Sequence, residues 1–150
     1  MKRISIGVVF IVFIFFLGAC CKREYQQKSA SKQKWHWDNP EKQSRSAGYA
    51  QVVKSGNTLY ISGIPTSNMT AEGVKQLYES LAQSLQAFGA TSANIIKETI
   101  YTTDIEKMKE LNDIRKVFYE GDFPASTWVQ VSRLYEPSAM LEVDLIAIIE

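Results

Sequence analysis

Few side chains in this sequence are suited to nucleophilic or metal-assisted chemistry. The 150 residues include two cysteines and one histidine, and Cys20, Cys21 and His36 all precede the part of the chain that is predicted to fold. A serine nucleophile such as Ser126 would have no histidine in that part to take its proton. Zinc takes three or four protein ligands, so we expect no metal site. The chemistry left to the domain is that of carboxylates, amides and phenols.

The beginning of the chain has the features of a bacterial secretion signal. Two basic residues are followed by an apolar run over residues 4–17, which is too short to span a bilayer comfortably. The run ends in Leu17-Gly18-Ala19-Cys20, which resembles a lipobox, in which the cysteine sulfur takes a lipid. We predict a lipoprotein signal peptide over residues 1–19, lipidation of Cys20 and a membrane anchor. A signal anchor that happens to contain a cysteine is the alternative.

Charge is distributed unevenly along the chain. Residues 1–45 hold nine Lys/Arg against three Asp/Glu, whereas residues 46–150 hold eight against thirteen. Binding of nucleic acid needs clustered basic side chains, so an acidic domain argues against it. The basic segment fits a tether beside an anionic membrane surface. Lys22 gives no acidic retention signal of the kind some bacteria use, which favours the outer membrane or the surface of the cell envelope.

Residues 20–46 are predicted to be a lipidated and flexible basic tether. Lys, Gln and Ser dominate, and such a composition cannot bury enough apolar surface to order itself. Trp35-His36-Trp37 is the exception. This segment could dock on the domain as a short extended stretch, which we favour because large aromatics are seldom left in water. It could instead touch lipid headgroups.

Residues 47–150 are predicted to form one α+β domain with the order β-β-α-β-α-β-β. Alternating or β-branched residues indicate strands, and apolar residues every three or four positions indicate helices. Asp104 is a candidate cap for the second helix, and Gly89 and Gly121 are candidate stops. The strands are predicted at residues 50–53, 58–62, 95–103, 127–134 and 141–149, and the helices at 74–88 and 105–118.

The last predicted strand is apolar on both sides. Leu141, Val143 and Leu145 share one face, while Ile146 and Ile148 share the other with two acidic residues. Two helices cover only one face of a sheet. We therefore expect the second face to be covered by self-association.

Five short motifs in a fixed order resemble the Rid family, the YjgF-type enamine/imine deaminases. They are Gly48-Tyr49-Ala50-Gln51, Gly56-Asn57, Ser62-Gly63-Ile64-Pro65, Phe123-Pro124-Ala125 and Leu141-Glu142-Val143. The resemblance covers residues 47–149. It implies a chorismate-mutase-like mixed β-sheet with two helices on one face, and a homotrimer with small-molecule sites in the clefts between subunits. Active members hydrolyse enamines and imines such as 2-aminoacrylate to 2-keto acids and ammonia, without a cofactor.

The position after Phe-Pro-Ala is where this sequence departs from the family. Active members have an arginine there, whose guanidinium grips the substrate carboxylate with two hydrogen bonds. Ser126 stands at that position and carries no charge. Arg133 is an odd number of residues further on and is expected on the opposite side of a strand. Arg115 in the second helix and Arg45 in the tether are not expected to replace the missing group.

Other site positions of the family are retained. Tyr49 matches a cleft tyrosine, Asn112 an asparagine of the second helix and Glu142 an acidic residue of the last strand. Glu142 could orient a water molecule as the catalytic group, or be an ordinary polar residue at a subunit interface. Tyr49 and Asn112 could bind substrate or satisfy buried polar groups. Trp128 shares a strand face with Ser126 and could fill the substrate space or pack at the trimer seam.

Two functions remain open from these residues. One is a membrane-anchored Rid-family protein that binds a small molecule between subunits and lacks the standard deaminase activity, because the family arginine is replaced by Ser126. The other is an enamine/imine deaminase with altered substrate recognition. Loss of the charged contact to a carboxylate would weaken binding by about one to two powers of ten, which favours the first.

Overall fold

The computed structural model describes residues 31–37 and 42–150. It has six strands and three helices, with a π-helical turn at Lys42–Ala47 and a 3-10 turn at Ser92–Asn94. The strands are β1 (Lys32–Trp35), β2 (Val52–Ser55), β3 (Thr58–Thr66), β4 (Ile95–Thr102), β5 (Ala125–Gln130) and β6 (Leu141–Ile148). The helices are α1 (Ala71–Gln86), α2 (Ile105–Glu110) and α3 (Asn112–Tyr119).

All six strands lie in one mixed sheet with the order β1-β2-β3-β6-β4-β5. Neighbouring strands are antiparallel except for β4 and β5, which are parallel. The parallel pair is joined through α2 and α3, as a parallel connection requires a crossover. The predicted α+β class and mixed sheet are therefore confirmed.

Capping hydrogen bonds and a left-handed glycine define the observed helix ends. The Thr70 side chain accepts a hydrogen bond from the Gly73 backbone N–H at the start of α1, and Asp104 accepts from Lys107 at the start of α2. Past the end of α1, Gly89 adopts a left-handed backbone with φ of 71°, which glycine tolerates without steric cost. The predicted cap at Asp104 is confirmed.

The second predicted helix is two helices in the structure, so its prediction as one continuous element is wrong. The break falls at Leu111, whose φ and ψ are −91° and 2°. There the backbone hydrogen bonds tighten, with the Leu111 N–H reaching the Met108 carbonyl and the Ile114 N–H reaching the Leu111 carbonyl. Such 3-10-type bonds change the helix direction without proline or glycine.

The helices cover one face of the sheet, where the core lies. In β6, Leu141, Val143, Leu145 and Ala147 are buried beneath them, as predicted from the alternation of that strand. The intervening residues point to the other face, called the open face here, where Tyr60 and Ile148 are exposed. The two-faced character of the last strand thus follows directly from its period of two.

The sheet begins inside the segment predicted as a tether, so that prediction is wrong for residues 32–35. β1 pairs antiparallel with β2, with Trp35 opposite Val52. The Trp35 and Trp37 rings contact each other edge to face at 4.9 Å, and the Trp37 indole N–H donates to the Gln51 side-chain oxygen at 2.9 Å. Docking, the favoured alternative for this motif, is what the structure shows. Ladder hydrogen bonds and an indole bond order a segment whose composition alone suggests a linker.

The predicted signal peptide at residues 1–19 and the lipidation site Cys20 lie outside the described residues. Among the residues that are described, no helix is long and apolar enough to cross a membrane.

Candidate functional site

A buried carboxylate on β4 organises the side chains around the family-arginine position. Glu98 has no exposed surface. Its Oε1 accepts hydrogen bonds from the hydroxyls of Tyr78 at 2.8 Å and Tyr119 at 2.9 Å. Its Oε2 accepts from Arg115 Nε and from the Ser126 hydroxyl, both at 2.7 Å. A carboxylate offers about four lone-pair positions, so these four donors saturate Glu98.

Arg115 reaches this carboxylate from α3 through a group of aromatic rings. Its side chain is 8% exposed and forms an ion pair with Glu98. The guanidinium carbon lies 4.9 Å from the centre of the Tyr119 ring, 5.8 Å from that of Phe123 and 5.7 Å from that of Trp128. Ring faces stabilise a cation at such distances. The charge is thus balanced by one carboxylate and covered by aromatic surface.

Ser126 occupies the rim of this cluster. Glu98 and Ser126 are direct partners in the parallel pairing of β4 and β5, so their side chains project to the same face of the sheet. The Ser126 hydroxyl donates to Glu98 and accepts from the Trp128 indole N–H at 2.9 Å. Trp128 therefore does share a strand face with Ser126, as the alternation predicts, and that face is the one the helices cover.

Arg115, which was not expected to replace the family arginine, lies close to Ser126 in the structure. Both residues donate to the same oxygen atom of Glu98, so a guanidinium lies beside the serine. Sequence spacing did not indicate this, because the two residues belong to different elements. Arg133 lies beyond the end of β5 and its Nε donates to the Leu134 carbonyl.

Burial and hydrogen bonding perturb the tyrosines of the cluster. Burial first, and then the nearby Glu98 carboxylate, raise the pKa of Tyr78 and of Tyr119 well above the usual value. Both hydroxyls therefore stay protonated and act as hydrogen-bond donors to Glu98. Their role in this geometry is to hold the carboxylate in place.

Glu142 lies on the open face, away from the Glu98 cluster. It pairs with Pro65 of β3 and Tyr101 of β4, and its carboxyl group lies against Gly63. A Cβ added at Gly63 would overlap that carboxyl group and lie 2.7 Å from its Cδ. Burial, and then the charge of Asp144, raise the pKa of Glu142. A carboxyl group with a raised pKa can exchange protons closer to neutral pH.

Tyr49 and Asn112 complete the predicted set of site residues. Tyr49 precedes β2 and is 43% exposed. Asn112 is the first residue of α3, and its side-chain oxygen is buried without a hydrogen-bond partner in the described part of the chain. A buried acceptor of this kind is uncommon. One chain thus brings Ser126 and Trp128 together and holds Glu142 on the other face.

Three residues of the cluster were not singled out from the sequence, namely Glu98, Tyr78 and Tyr119. A signal for Glu98 was present, because it shares its phase in β4 with the buried Ile100 and Thr102. A charged residue in the buried phase of a strand requires a partner inside the protein. Within residues 31–37 and 42–150, no three His, Cys, Asp or Glu side chains are grouped so that they could hold a metal ion.

The sequence profile of the endoribonuclease L-PSP family matches residues 41–149. This chain belongs to that family. It is 32% identical over 109 residues to the 2-iminobutanoate/2-iminopropanoate deaminase of Rattus norvegicus, an alignment that covers 67% of this chain and 79% of the relative. It is 34% identical over 110 residues to a RutC family protein of Aquifex aeolicus, with 67% and 87% covered.

Solved structures of the family have the same fold. A YjgF family member from Mycobacterium tuberculosis superposes with a TM-score of 0.71 at 22% identity, covering 79% of this chain and all of the other. RidA from an Antarctic Psychrobacter superposes with a TM-score of 0.62 at 26% identity, covering 67% and 88%. The resemblance to the Rid, or YjgF-type, family inferred from five motifs is confirmed, and so is the fold it implies.

Proposed function

We propose that this protein is a lipid-anchored member of the family that binds a small molecule between the subunits of a homotrimer and lacks the standard 2-imino acid deaminase activity. The observation that carries the proposal is the state of position 126. The Ser126 hydroxyl is committed to Glu98 and Trp128, and the nearest guanidinium is paired with Glu98. Neither Ser126 nor Arg115 therefore offers a free cation to hold a substrate carboxylate.

The remaining site residues favour a neutral or amine-bearing ligand. Glu142 provides a carboxyl group on the open face, and Asn112 has a buried oxygen that still lacks a donor. Both groups suit a ligand that carries N–H groups. Across the interface of a trimer, Tyr49 and the ring of Trp128 would provide apolar and stacking contacts.

Self-association is supported by the open face of the sheet. Tyr60, Val129 and Ile148 are large apolar side chains that remain exposed on that face of the single chain. Exposed apolar surface of this kind is typical of a protein interface. Trimer formation would bring the open face of one subunit to the residues of another. It would thereby supply the second wall of a cleft that one chain does not form.

Anchoring and location rest on the sequence before residue 31. The lipobox-like Leu17-Gly18-Ala19-Cys20 supports lipidation of Cys20, and the absence of an acidic residue directly after the cysteines supports the outer membrane or the cell surface. Reactive enamines released in the cytoplasm would rarely reach a protein in that location. Radiolabelled palmitate incorporation that is lost on Cys20→Ala tests the anchor.

Deaminase activity is the second candidate, and two observations favour it. Relatives at about one third identity, including the Rattus norvegicus protein, bear the name of a 2-imino acid deaminase. In addition, Arg115 does place a guanidinium beside Ser126. Exchange of its partner from Glu98 to a substrate carboxylate would restore the family's contact, although it would leave Glu98 buried without a counter-charge.

One assay separates the two candidates. The full chain, extracted in mild detergent, is mixed with freshly generated 2-aminoacrylate, and release of pyruvate and ammonia is followed beside the Rattus norvegicus deaminase. We expect release at the uncatalysed rate. Release well above that rate would refute the proposal and establish the deaminase. A trimer mass by light scattering shows in the same sample that the protein is folded and assembled.

A further inference from the structure

We propose that Glu98 and Arg115 form a specificity-determining pair, in which Glu98 cancels the charge of Arg115 so that the site rejects ligands with a carboxylate. The inference rests on the proposed function and deepens it, because it names the residues that select the ligand by charge. It also makes a prediction that the serine at position 126 alone does not, namely that a change at Glu98 unmasks a carboxylate site.

The first support is that the charge of Arg115 is fully balanced by Glu98 of the same chain. Glu98 is fully buried, and its two oxygens receive four donors, two on each. It has no lone pair left for a ligand. A carboxylate so enclosed serves the protein itself, and the one positively charged donor among the four is Arg115.

The second support is the position of Arg115 relative to the surface. Ser126 is exposed, and its hydroxyl shares Glu98 Oε2 with Arg115 Nε, so that single oxygen atom separates the two donors. Phe123, one of the rings beside the guanidinium, is 51% exposed. The cation therefore lies one layer below the edge of β5, directly beneath the position from which a family arginine would act.

The physical consequence concerns net charge at that edge. While the Glu98–Arg115 ion pair is intact, a ligand carboxylate meets a neutral pair and gains no net attraction to offset its loss of hydration. Replacement of Glu98 by glutamine keeps the shape of the side chain and removes its charge. The amide oxygen can accept from Arg115 and Ser126, and the tyrosine hydroxyls can turn to accept from its N–H groups. Arg115 then becomes an unbalanced cation beneath an exposed edge.

The experiment compares Glu98→Gln with Glu106→Gln in the full chain in detergent. Glu106 lies on α2 with 76% of its side chain exposed. Its substitution changes the net charge of the protein by the same amount as Glu98→Gln, but has far less effect on the electrostatic potential around Arg115. The probes are 2-oxobutanoate and its uncharged amide, 2-oxobutanamide, titrated by calorimetry at two salt concentrations. We expect Glu98→Gln to bind 2-oxobutanoate about tenfold or more tightly than wild type, as one charge-assisted contact provides. We also expect this gain to fall with salt, and the amide to bind all three proteins alike.

Equal affinity of folded Glu98→Gln and Glu106→Gln for 2-oxobutanoate would refute the proposed role of the Glu98–Arg115 pair in ligand selection. The converse variant, Arg115→Gln, leaves Glu98 as the unbalanced charge and is expected to bind 1-aminobutane more tightly than wild type. If Glu98→Gln does not fold, the affinity of Arg115→Gln for 1-aminobutane tests the proposal instead. Wild type provides an arm that needs no variant, because a tenfold preference for the carboxylate over its amide would refute the inference. That result is distinct from failure of the proposed function, which would appear as hydrolysis of 2-aminoacrylate.

Discussion

Substitution of Arg115 by methionine tests whether the buried ion pair holds the helices to the edge of the sheet. Arg115 and Glu98 are 8% and 0% exposed, with a 2.7 Å bond between them. Removal of one partner from a buried pair costs about 3–5 kcal/mol, because the other charge is left without compensation. Glu98 would keep its three hydroxyl donors, and methionine would still pack against the rings. We therefore expect a loss near the lower end, about 3 kcal/mol.

The measurement is a double-mutant cycle by urea unfolding at neutral pH, followed by circular dichroism at one protomer concentration. Glu98→Gln alone is expected to cost a similar amount, whereas the combination with Arg115→Met should cost much less than the sum. The expected coupling energy is about 2–3 kcal/mol, which is within the range for residues in direct contact. Unchanged denaturant slopes would show that the variants share one folded state. Additivity within about 0.5 kcal/mol would refute the account of the cluster given above, since independent residues behave in that way.

Three further predictions concern Ser126, Glu142 and Gly63. Ser126→Arg places a second guanidinium on the saturated Glu98, and like charges about 5 Å apart at an effective dielectric near 20 repel by about 3 kcal/mol. Because position 126 is exposed, we expect a loss of about 1–3 kcal/mol in urea unfolding, and its disappearance when Arg115 is also changed to methionine. The raised pKa of Glu142 means that the folded state binds its proton more tightly than the unfolded chain, so stability is lost as pH rises above the ordinary value of 4.5. Glu142→Gln should therefore raise the unfolding midpoint near pH 7 and lose that advantage at pH 4; an equal effect at both would contradict the assignment. Gly63→Ala forces the Glu142 side chain aside and should cost about 1–3 kcal/mol, with little cost in a Glu142→Ala background.

The order of the elements from β2 onward could be predicted because most of them have a clear period. Helix α1 carries an apolar residue at every third or fourth position, and in β6 buried residues alternate with half-buried or exposed ones. β1 could not be predicted in this way. Its sequence, Lys-Gln-Lys-Trp, is mostly polar because an edge strand has one neighbour and little buried surface. Its order depends on pairing with β2, which is a tertiary contact.

The ends of β5 show a different limit of prediction from sequence. The β-branched residues from Thr127 to Leu134 suggested a strand that starts and ends later than the observed one, Ala125–Gln130. The parallel register with β4 decides these bounds, because Lys97 pairs with Ala125 and Thr102 with Gln130. Propensity along one strand carries no information about where its partner begins and ends.

The candidate site could be predicted only in part for the same reason. Ser126 is recognisable from the motif around it, whereas its meaning depends on Glu98, which is 28 residues earlier in the chain. The sequence marks Glu98 only as a charged residue in the buried phase of β4, and it does not indicate Arg115 as its partner. Only the fold shows that they face each other in the interior.

The parallel pairing of β4 with β5 therefore links the chemistry of two positions. Glu98 and Ser126 are direct register partners with side chains on one face, so the residue at 126 always meets the residue at 98. An arginine at 126 would form an ion pair with the buried glutamate opposite it. Arg115 already supplies that positive charge from α3. A serine at 126 is then the residue that fits, because it is small, neutral and able to donate the fourth hydrogen bond. Ser126 and the internal Glu98–Arg115 pair therefore fit together, and an arginine introduced at 126 with the pair left in place should give a less stable protein and not a restored enzyme.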